Sequence, residues 1–279
     1  MKYKIVTDSS SDILSLADVP FCAVPLKLNT AEKEFVDDAN LDVHEMLDYL
    51  EKYKGRSGSS CPNVAEWENA FEGAENVFCV TITSGLSGSY NAASTAAKNH
   101  KKSHPERNIY VVDTLSTGPE SALIIEKLRD LILAELPFDD IVKRIKEYQR
   151  RTHLIFALES LHNLANNGRV SPLVAKLSGV LGIRVVGKAS NEGTLEVTNK
   201  PRGERKMLSC IAESIKKCGY KGEKMRIHHC ENMQAVELLK QAVLTVFPKA
   251  DIEVRSTRGL DSFYAERGGV LVGFEGDIK

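Results

Sequence analysis

Serines and glycines fill one loop between a predicted strand and a predicted helix. The segment TSGLSGSY, residues 83–90, follows the apolar run NVFCVTI and precedes the alanine-rich run NAASTAAK. Small residues at a helix N-terminus expose backbone N–H groups and the positive end of the helix dipole to an anion. The loop adds the hydroxyls of Ser84, Ser87 and Ser89 but no Lys or Arg. A singly charged carboxylate therefore fits better than a polyphosphate, and N-capping by serine alone is an equally good interpretation.

Nucleophilic catalysis is a second interpretation of the same loop. The run GLSGS, residues 85–89, resembles the G-x-S-x-G elbow of serine hydrolases, with Ser87 as the nucleophile. Ser89 occupies the last position, where the elbow needs glycine to relieve crowding at a strained turn. A triad would also need a downstream acid and histidine, and the sequence context singles out no histidine. The hydrolase is therefore kept only as an alternative.

Other polar motifs favour structural roles. The run GIRVVGKA, residues 182–189, approaches a phosphate-binding loop, but Ala189 lacks the hydroxyl that would bind Mg²⁺. Its central residues are strand formers, so a buried strand is predicted. The pairs Asp37–Asp38 and Asp139–Asp140 are interpreted as solvated helix starts. His228 and His229 are adjacent on a predicted strand and must face opposite sides, which argues against a shared metal.

Composition excludes several classes of protein. The chain has 279 residues, 42% of them hydrophobic, and a formal net charge of −1, which gives no reason to expect a nucleic-acid or membrane-surface partner. No apolar run approaches the length of a membrane span or signal peptide. The six cysteines form no C-x-x-C pair and are interpreted as reduced core thiols. These observations predict a cytoplasmic protein.

The order of predicted elements indicates an α/β protein with two domains. Strands and helices alternate through residues 1–155, which predicts parallel βαβ units. Residues 156–279 include a hairpin signal at Asn191–Gly193, which predicts a mixed sheet. Residues 171–181 are predicted to be helical. Polar loops follow Thr7, Ile82 and Val112, at the strand ends where such sheets bind ligands.

Seven motifs along the chain resemble those of one family. They are KIVTDSSSDI at 4–13, SSCP at 59–62, SGLSGSYNAA at 84–93, VVDTLS at 111–116, LANNGRVS at 164–171, GKASNEGTLEV at 187–197 and YAERGGVLVGFEG at 264–276. In this order they resemble the DegV family of bacterial fatty-acid-binding proteins. The resemblance covers nearly the whole chain, and its most specific parts are SGLSGS and TDSSSD.

The resemblance implies a two-domain α/β fold with one long-chain fatty acid buried between the domains. Some members are the carrier subunit of a bacterial fatty acid kinase, whose partner subunit phosphorylates the bound acyl carboxylate. The resemblance therefore implies a binding protein rather than an enzyme, with the fatty acid as ligand, no metal or cofactor, and a kinase subunit as partner. A binding protein for another small carboxylate is the alternative outside this family role.

The resemblance also implies which residues hold the carboxylate. Ser59 stands where the family has a threonine, and Cys61 replaces a glutamine. The carboxylate-binding serine of the SGLSG loop falls on Ser84 or Ser87, beside the backbone N–H of Gly85. Two family arginines match Arg169 and Arg202.

One departure concerns the family segment His-x-Gly-Pro-Gly. Glu266 is matched to its histidine, and a glutamate would repel a ligand carboxylate unless one of them is protonated or an arginine such as Arg267 intervenes. For the acyl chain, an apolar tunnel is expected from the second half of the chain, although core residues share that composition. The tunnel candidates are Ile155, Phe156, Leu173, Leu177 and Ile183.

Overall fold

The computed structural model describes residues 2–171, 174 and 182–279. Its strands are β1 (Tyr3–Asp8), β2 (Phe21–Val24), β3 (Lys27–Asn29), β4 (Glu34–Val36), β5 (Gly58–Ser60), β6 (Asn76–Thr81), β7 (Asn108–Asp113), β8 (Thr152–Leu158), β9 (Val185–Ala189), β10 (Leu195–Asn199), β11 (Lys224–His229), β12 (Asp251–Ser256) and β13 (Val270–Glu275). Its helices are α1 (Val43–Lys52), α2 (Val64–Phe71), α3 (Ser89–Ser103), α4 (Gly118–Leu133), α5 (Phe138–Gln149), α6 (His162–Asn166), α7 (Glu204–Lys217), α8 (Met233–Val246) and α9 (Gly259–Ala265). A 3-10 turn, Ser9–Ser11, follows β1. Within these described residues, no helix is both long and apolar enough to cross a membrane.

The first sheet is parallel, in the order β2–β1–β6–β7, as the alternation of strands and helices predicts. Successive residues of β6 face opposite sides of this sheet. Val77 and Cys79 pack in one core with α2 and α3, whereas Phe78 and Val80 pack in another with α4 and α5. Both faces of the sheet are therefore covered, and its polar loops lie together at the carboxyl edge.

The second sheet is mixed, in the order β10–β9–β8–β13–β11–β12. The predicted hairpin is confirmed as the antiparallel pair β9–β10, and only β11 and β12 run parallel. Helices α7 and α8 cover one face. Helix α4 approaches the other so closely that a Cβ on Gly273 would lie 2.5 Å from the backbone nitrogen of Glu120. The mixed α/β fold class is confirmed. The predicted domain boundary at residue 155 falls inside β8, and it stays a prediction.

Local predictions failed at two places in the first half of the chain. The run FCAVPLKL, residues 21–28, reads as one strand from its sequence, but it forms β2 and β3, which belong to different sheets. Pro25 separates them, because it has no N–H for a sheet and restricts the residue before it. The polar run GRSGSSCPN, residues 55–63, predicts a loop between two helices, but it contains β5, which pairs with β3 in a small β4–β3–β5 sheet. The helix predicted at 171–181 lies largely outside the described residues.

Helix α9, between β12 and β13, was not predicted from the sequence. Its N-terminal N–H groups, those of Gly259 and Leu260, donate to the carboxylate oxygens of Asp37 at 2.8 and 2.9 Å. The cap is thus far away in the chain, where no local pattern could show it. The prediction that Asp37 is a solvated helix start is therefore wrong, since Asp37 is buried.

A pair of buried acids holds α9 against the 3-10 turn. Asp12 Oδ1 accepts from the Arg258 N–H at 2.6 Å, and Asp12 Oδ2 lies 2.7 Å from His228 Nδ1. Asp261, on α9, accepts from the Thr117 hydroxyl at 2.9 Å. Burial, together with the charge of Asp12, raises the pKa of Asp261 well above the usual carboxyl range. Burial also raises the pKa of Asp12, to about 8, so both acids of the pair keep their protons to a higher pH than ordinary carboxyl groups do.

The proton of Asp261 makes stability depend on pH. In the unfolded chain Asp261 ionises near pH 4, about its ordinary pKa, whereas the folded protein keeps its proton to a much higher pH. The free energy of unfolding should therefore fall as pH rises from about 5 to 8, by up to about 1.4 kcal/mol per pH unit for this proton. Urea denaturation across this range measures the slope.

Asp261→Asn carries a neutral group that mimics the protonated acid, so we expect it to reduce the slope and to leave the contribution of Asp12. Asp18→Asn is the control, because Asp18 is exposed, and it should keep the wild-type slope. A wild-type slope in Asp261→Asn would contradict the assignment of the proton to this pair.

Candidate functional site

An apolar cavity lies between the carboxyl edge of the first sheet, helix α9 and one face of the second sheet. It contains about 670 Å³ of empty space, part of it open to solvent. Its apolar wall comes from β8, β10, β13, α6, α9 and adjacent loops. The apolar residues that line it are Leu26, Ile82, Leu86, Leu154, Phe156, Leu158, Leu164, Leu195, Leu260, Ala265 and Leu271. An apolar lining of this kind suits a hydrophobic ligand.

Four polar side chains of the lining make up what we call the head-group site: Ser59, Ser87, Arg169 and Tyr264. Ser59 Oγ lies 2.8 Å from the Tyr264 hydroxyl. The guanidinium of Arg169 stands over the Tyr264 ring, 5.9 Å from its centroid, and its Nε donates to the Leu86 carbonyl at 3.3 Å. Hydroxyls and a guanidinium are donors suited to a carboxylate.

A buried carboxylate organises the serine loop that carries Ser87. Asp8 Oδ2 accepts from the Ile82 N–H at 3.0 Å and from the Ser89 hydroxyl at 2.6 Å. The Ser89 hydroxyl is therefore occupied inside the protein. Ser87 Oγ accepts from the Ser89 N–H at 3.3 Å, which leaves the Ser87 hydroxyl hydrogen available to a ligand.

The structure separates Ser87 from the other loop candidates. Ser87 is half-buried and lines the cavity, whereas Ser84 and Gly85 are exposed and do not line it. The Ser84 N–H donates to Asp113 Oδ1 at 3.0 Å. Gly85 lies on the outer rim with Arg169, close to the β9–β10 hairpin.

Arg202 and Glu266 are not among the residues that line the cavity. Arg202 is exposed beside Ile183, with which it forms an isolated bridge. Glu266 lies in a neighbouring polar groove, where its Oε1 accepts from the Asn163 N–H at 3.1 Å. The neighbouring Arg267 forms ion pairs with three acids elsewhere, so it does not neutralise Glu266. Those acids are Asp48, Glu51 and Glu231.

The tunnel candidates also divide. Phe156 lines the cavity, but Ile155 faces the opposite side of β8 and packs in the core with α7 and α8. Ile183 is half-buried and does not line the cavity. Leu173 and Leu177 lie outside the described residues.

Sequence reasoning missed the polar residues that α9 and α4 supply. Tyr264 and Asp261 come from α9, and Thr117 precedes α4. From the motif YAERGG the sequence predicts roles for Glu266 and Arg267 but none for Tyr264. A signal for Tyr264 existed, because it lies two residues before the position matched to the family histidine.

Other chemistry has less support in the described part of the chain. No histidine there is hydrogen-bonded to Ser87, as a hydrolase triad would require. Glu72, His100 and His104 bring potential metal ligands together at the far end of α3. Arg107 already donates to Glu72 at 2.8 Å and contacts His100 Nε2 at 3.1 Å. Its guanidinium therefore supplies the positive charge that a metal ion would bring to this cluster.

Sequence relatives cover the whole chain. The DegV family, described as a family of uncharacterised proteins, matches residues 2–275. A DegV domain-containing protein of Streptococcus pneumoniae is 42% identical over 281 residues, which cover 99% of this chain and 100% of the relative. One from Streptococcus pyogenes serotype M1 is 43% identical over 279 residues, with 99% of this chain and 100% of the relative covered.

Solved structures show the same fold. A DegV family protein of Eubacterium eligens loaded with heptadecanoic acid has a TM-score of 0.96 and 42% identity, covering 99% of this chain and 100% of that one. The fatty acid kinase B3 protein of Streptococcus pneumoniae loaded with linoleic acid has a TM-score of 0.97 at the same identity and coverage. From a family match along almost its whole length, and from these relatives, the chain belongs to the DegV family.

Proposed function

We propose that this protein binds a long-chain fatty acid, with the acyl chain in the apolar cavity and the carboxylate at the head-group site. The observation that carries the proposal is the cavity itself, in which a wall of leucine side chains ends at two serine hydroxyls and an arginine. Two relatives at 42% identity hold heptadecanoic and linoleic acid, which match this chemistry.

The acyl chain supplies most of the affinity. Each methylene transferred from water contributes about 0.8 kcal/mol, so a dozen or more are enough for tight binding. The wall around Leu154, Phe156 and Leu158 is buried and offers few polar atoms that would lose water. Chain length and unsaturation are then selected by the shape of this wall.

The carboxylate needs compensation because an unpaired buried charge is costly. Ser59 and Ser87 each offer a hydroxyl, and charge-assisted hydrogen bonds of this kind are among the stronger ones. Arg169 adds a positive charge, since its guanidinium keeps donors beyond the bonds to the Leu86 and Asn167 carbonyls. This division between chain and head group also distinguishes a fatty acid from another small carboxylate.

We further propose that the protein presents its fatty acid to a kinase subunit rather than catalysing a reaction itself. The head-group site contributes donors that hold a carboxylate, but no base positioned to activate a nucleophile. The relative named as the B3 protein of a fatty acid kinase supports this role. Organic extraction and mass spectrometry of the purified protein test the ligand directly, and a polar metabolite in place of a lipid would overturn the proposal.

Ser59→Ala and Ser87→Ala should each weaken binding of the free acid about three- to twentyfold, because each removes one charge-assisted hydrogen bond. Binding of the methyl ester should change less than twofold. Isothermal titration of delipidated protein with linoleic acid and methyl linoleate measures both. Ser84→Ala, in the same loop but outside the cavity, is the control and should bind both ligands as wild type does. Equal losses for acid and ester would contradict the head-group assignment.

A charge placed in the acyl wall should abolish lipid retention. Leu195→Asp puts a carboxylate against the chain, at a cost that exceeds the contribution of several methylenes. Val197→Asp is the matched control, since Val197 is equally half-buried on the same face of β10 but does not line the cavity. We expect co-purifying fatty acid to fall more than tenfold in Leu195→Asp only, measured by mass spectrometry of extracts. A normal lipid content in Leu195→Asp would mean that the acyl chain does not lie against Leu195.

A further inference from the structure

We propose that Tyr264 is a positioning residue of the head-group site, which directs the Ser59 hydroxyl hydrogen toward the ligand carboxylate and holds Arg169 over the same point. The inference rests on the proposed function and adds a selectivity determinant to it. The ligand class that it favours is the ionised free acid over neutral acyl esters.

The first step is the direction of one hydrogen bond. Ser59 Oγ and the Tyr264 hydroxyl lie 2.8 Å apart, so one of them donates to the other. A serine hydroxyl has a single hydrogen. If Ser59 gives it to the ligand carboxylate, its oxygen must accept from Tyr264. The tyrosine thereby polarises Ser59, because a hydroxyl that accepts a hydrogen bond becomes a stronger donor.

The second step is the position of Arg169. Its guanidinium stands 5.9 Å from the centroid of the Tyr264 ring, within the range of a cation–π contact. Backbone carbonyls of Leu86 and Asn167 accept from the same side chain. The ring face and the two carbonyls together restrict where the positive charge can lie, and the cavity wall is on that side.

The third step is the rigidity of Tyr264 itself. It lies on α9, whose first N–H groups are capped by Asp37. Its ring packs edge-on against the buried Phe263, with centroids 4.8 Å apart. Tyr264 can therefore orient Ser59 and Arg169 without being ordered by the ligand, which lowers the entropic cost of binding.

Tyr264→Phe separates the contribution of the hydroxyl from that of the ring. It removes only the hydrogen bond to Ser59 and keeps the contact between the ring and Arg169. We expect it to weaken the binding of linoleic acid about three- to tenfold and the binding of methyl linoleate less than twofold. Isothermal titration of delipidated protein measures both. Tyr90→Phe, a half-buried tyrosine near the serine loop but outside the cavity, is the control. Unchanged thermal unfolding of Tyr264→Phe verifies that the fold is intact.

A double-mutant cycle tests whether the tyrosine acts through Ser59. The variant carrying both Ser59→Ala and Tyr264→Phe should bind linoleic acid no more than twofold more weakly than Ser59→Ala alone, because both remove one chain of hydrogen bonds. If the losses of affinity in the two single variants multiply in the double variant, or if Tyr264→Phe weakens the acid and the ester equally, the role of Tyr264 is overturned. Fatty-acid binding itself would still stand. Failure of the wild-type protein to bind either ligand would instead refute the proposed function.

Discussion

The hydrogen bonds from Gly259 and Leu260 to the Asp37 carboxylate fix the position of α9, and the cavity depends on that helix. The helix has only seven residues, too few to be stable by itself. It persists because the buried Asp37 carboxylate caps its positive end and because Asp12 accepts a hydrogen bond from the Arg258 N–H just before it. Leu260, Asp261, Tyr264 and Ala265 then face the cavity from this one element.

Three buried acids, Asp8, Asp12 and Asp37, position donors and do not line the cavity. Asp8 occupies the Ser89 hydroxyl and the Ile82 N–H, which orders the loop that presents Ser87. Asp37 and Asp12 act in the same way on backbone groups of 258–260. Asp261 does line the cavity, but burial raises its pKa well above the usual carboxyl range, which favours its uncharged form beside a ligand carboxylate.

Much of the fold could be predicted from local pattern. The parallel first sheet, the β9–β10 hairpin and most helix positions followed from alternation, helical periodicity and turn residues. The errors arose where a partner distant in the chain determines the structure: β5 needs β3, and α9 needs Asp37. At the candidate site, Ser59, Ser87 and Arg169 were expected and line the cavity, whereas Arg202 and Glu266 were expected and do not.

The sequence by itself determined the family, the α/β class and the polar loops at the strand ends, because these are written in contiguous motifs and short-range periodicity. Only the tertiary structure decided which hydroxyls reach the cavity, that Ser87 does so and Ser84 does not, and that Tyr264 joins Ser59 and Arg169. The physical reason is that burial and hydrogen-bond partnership at this site connect residues more than 80 positions apart in the chain. Such contacts leave no periodic trace in the sequence.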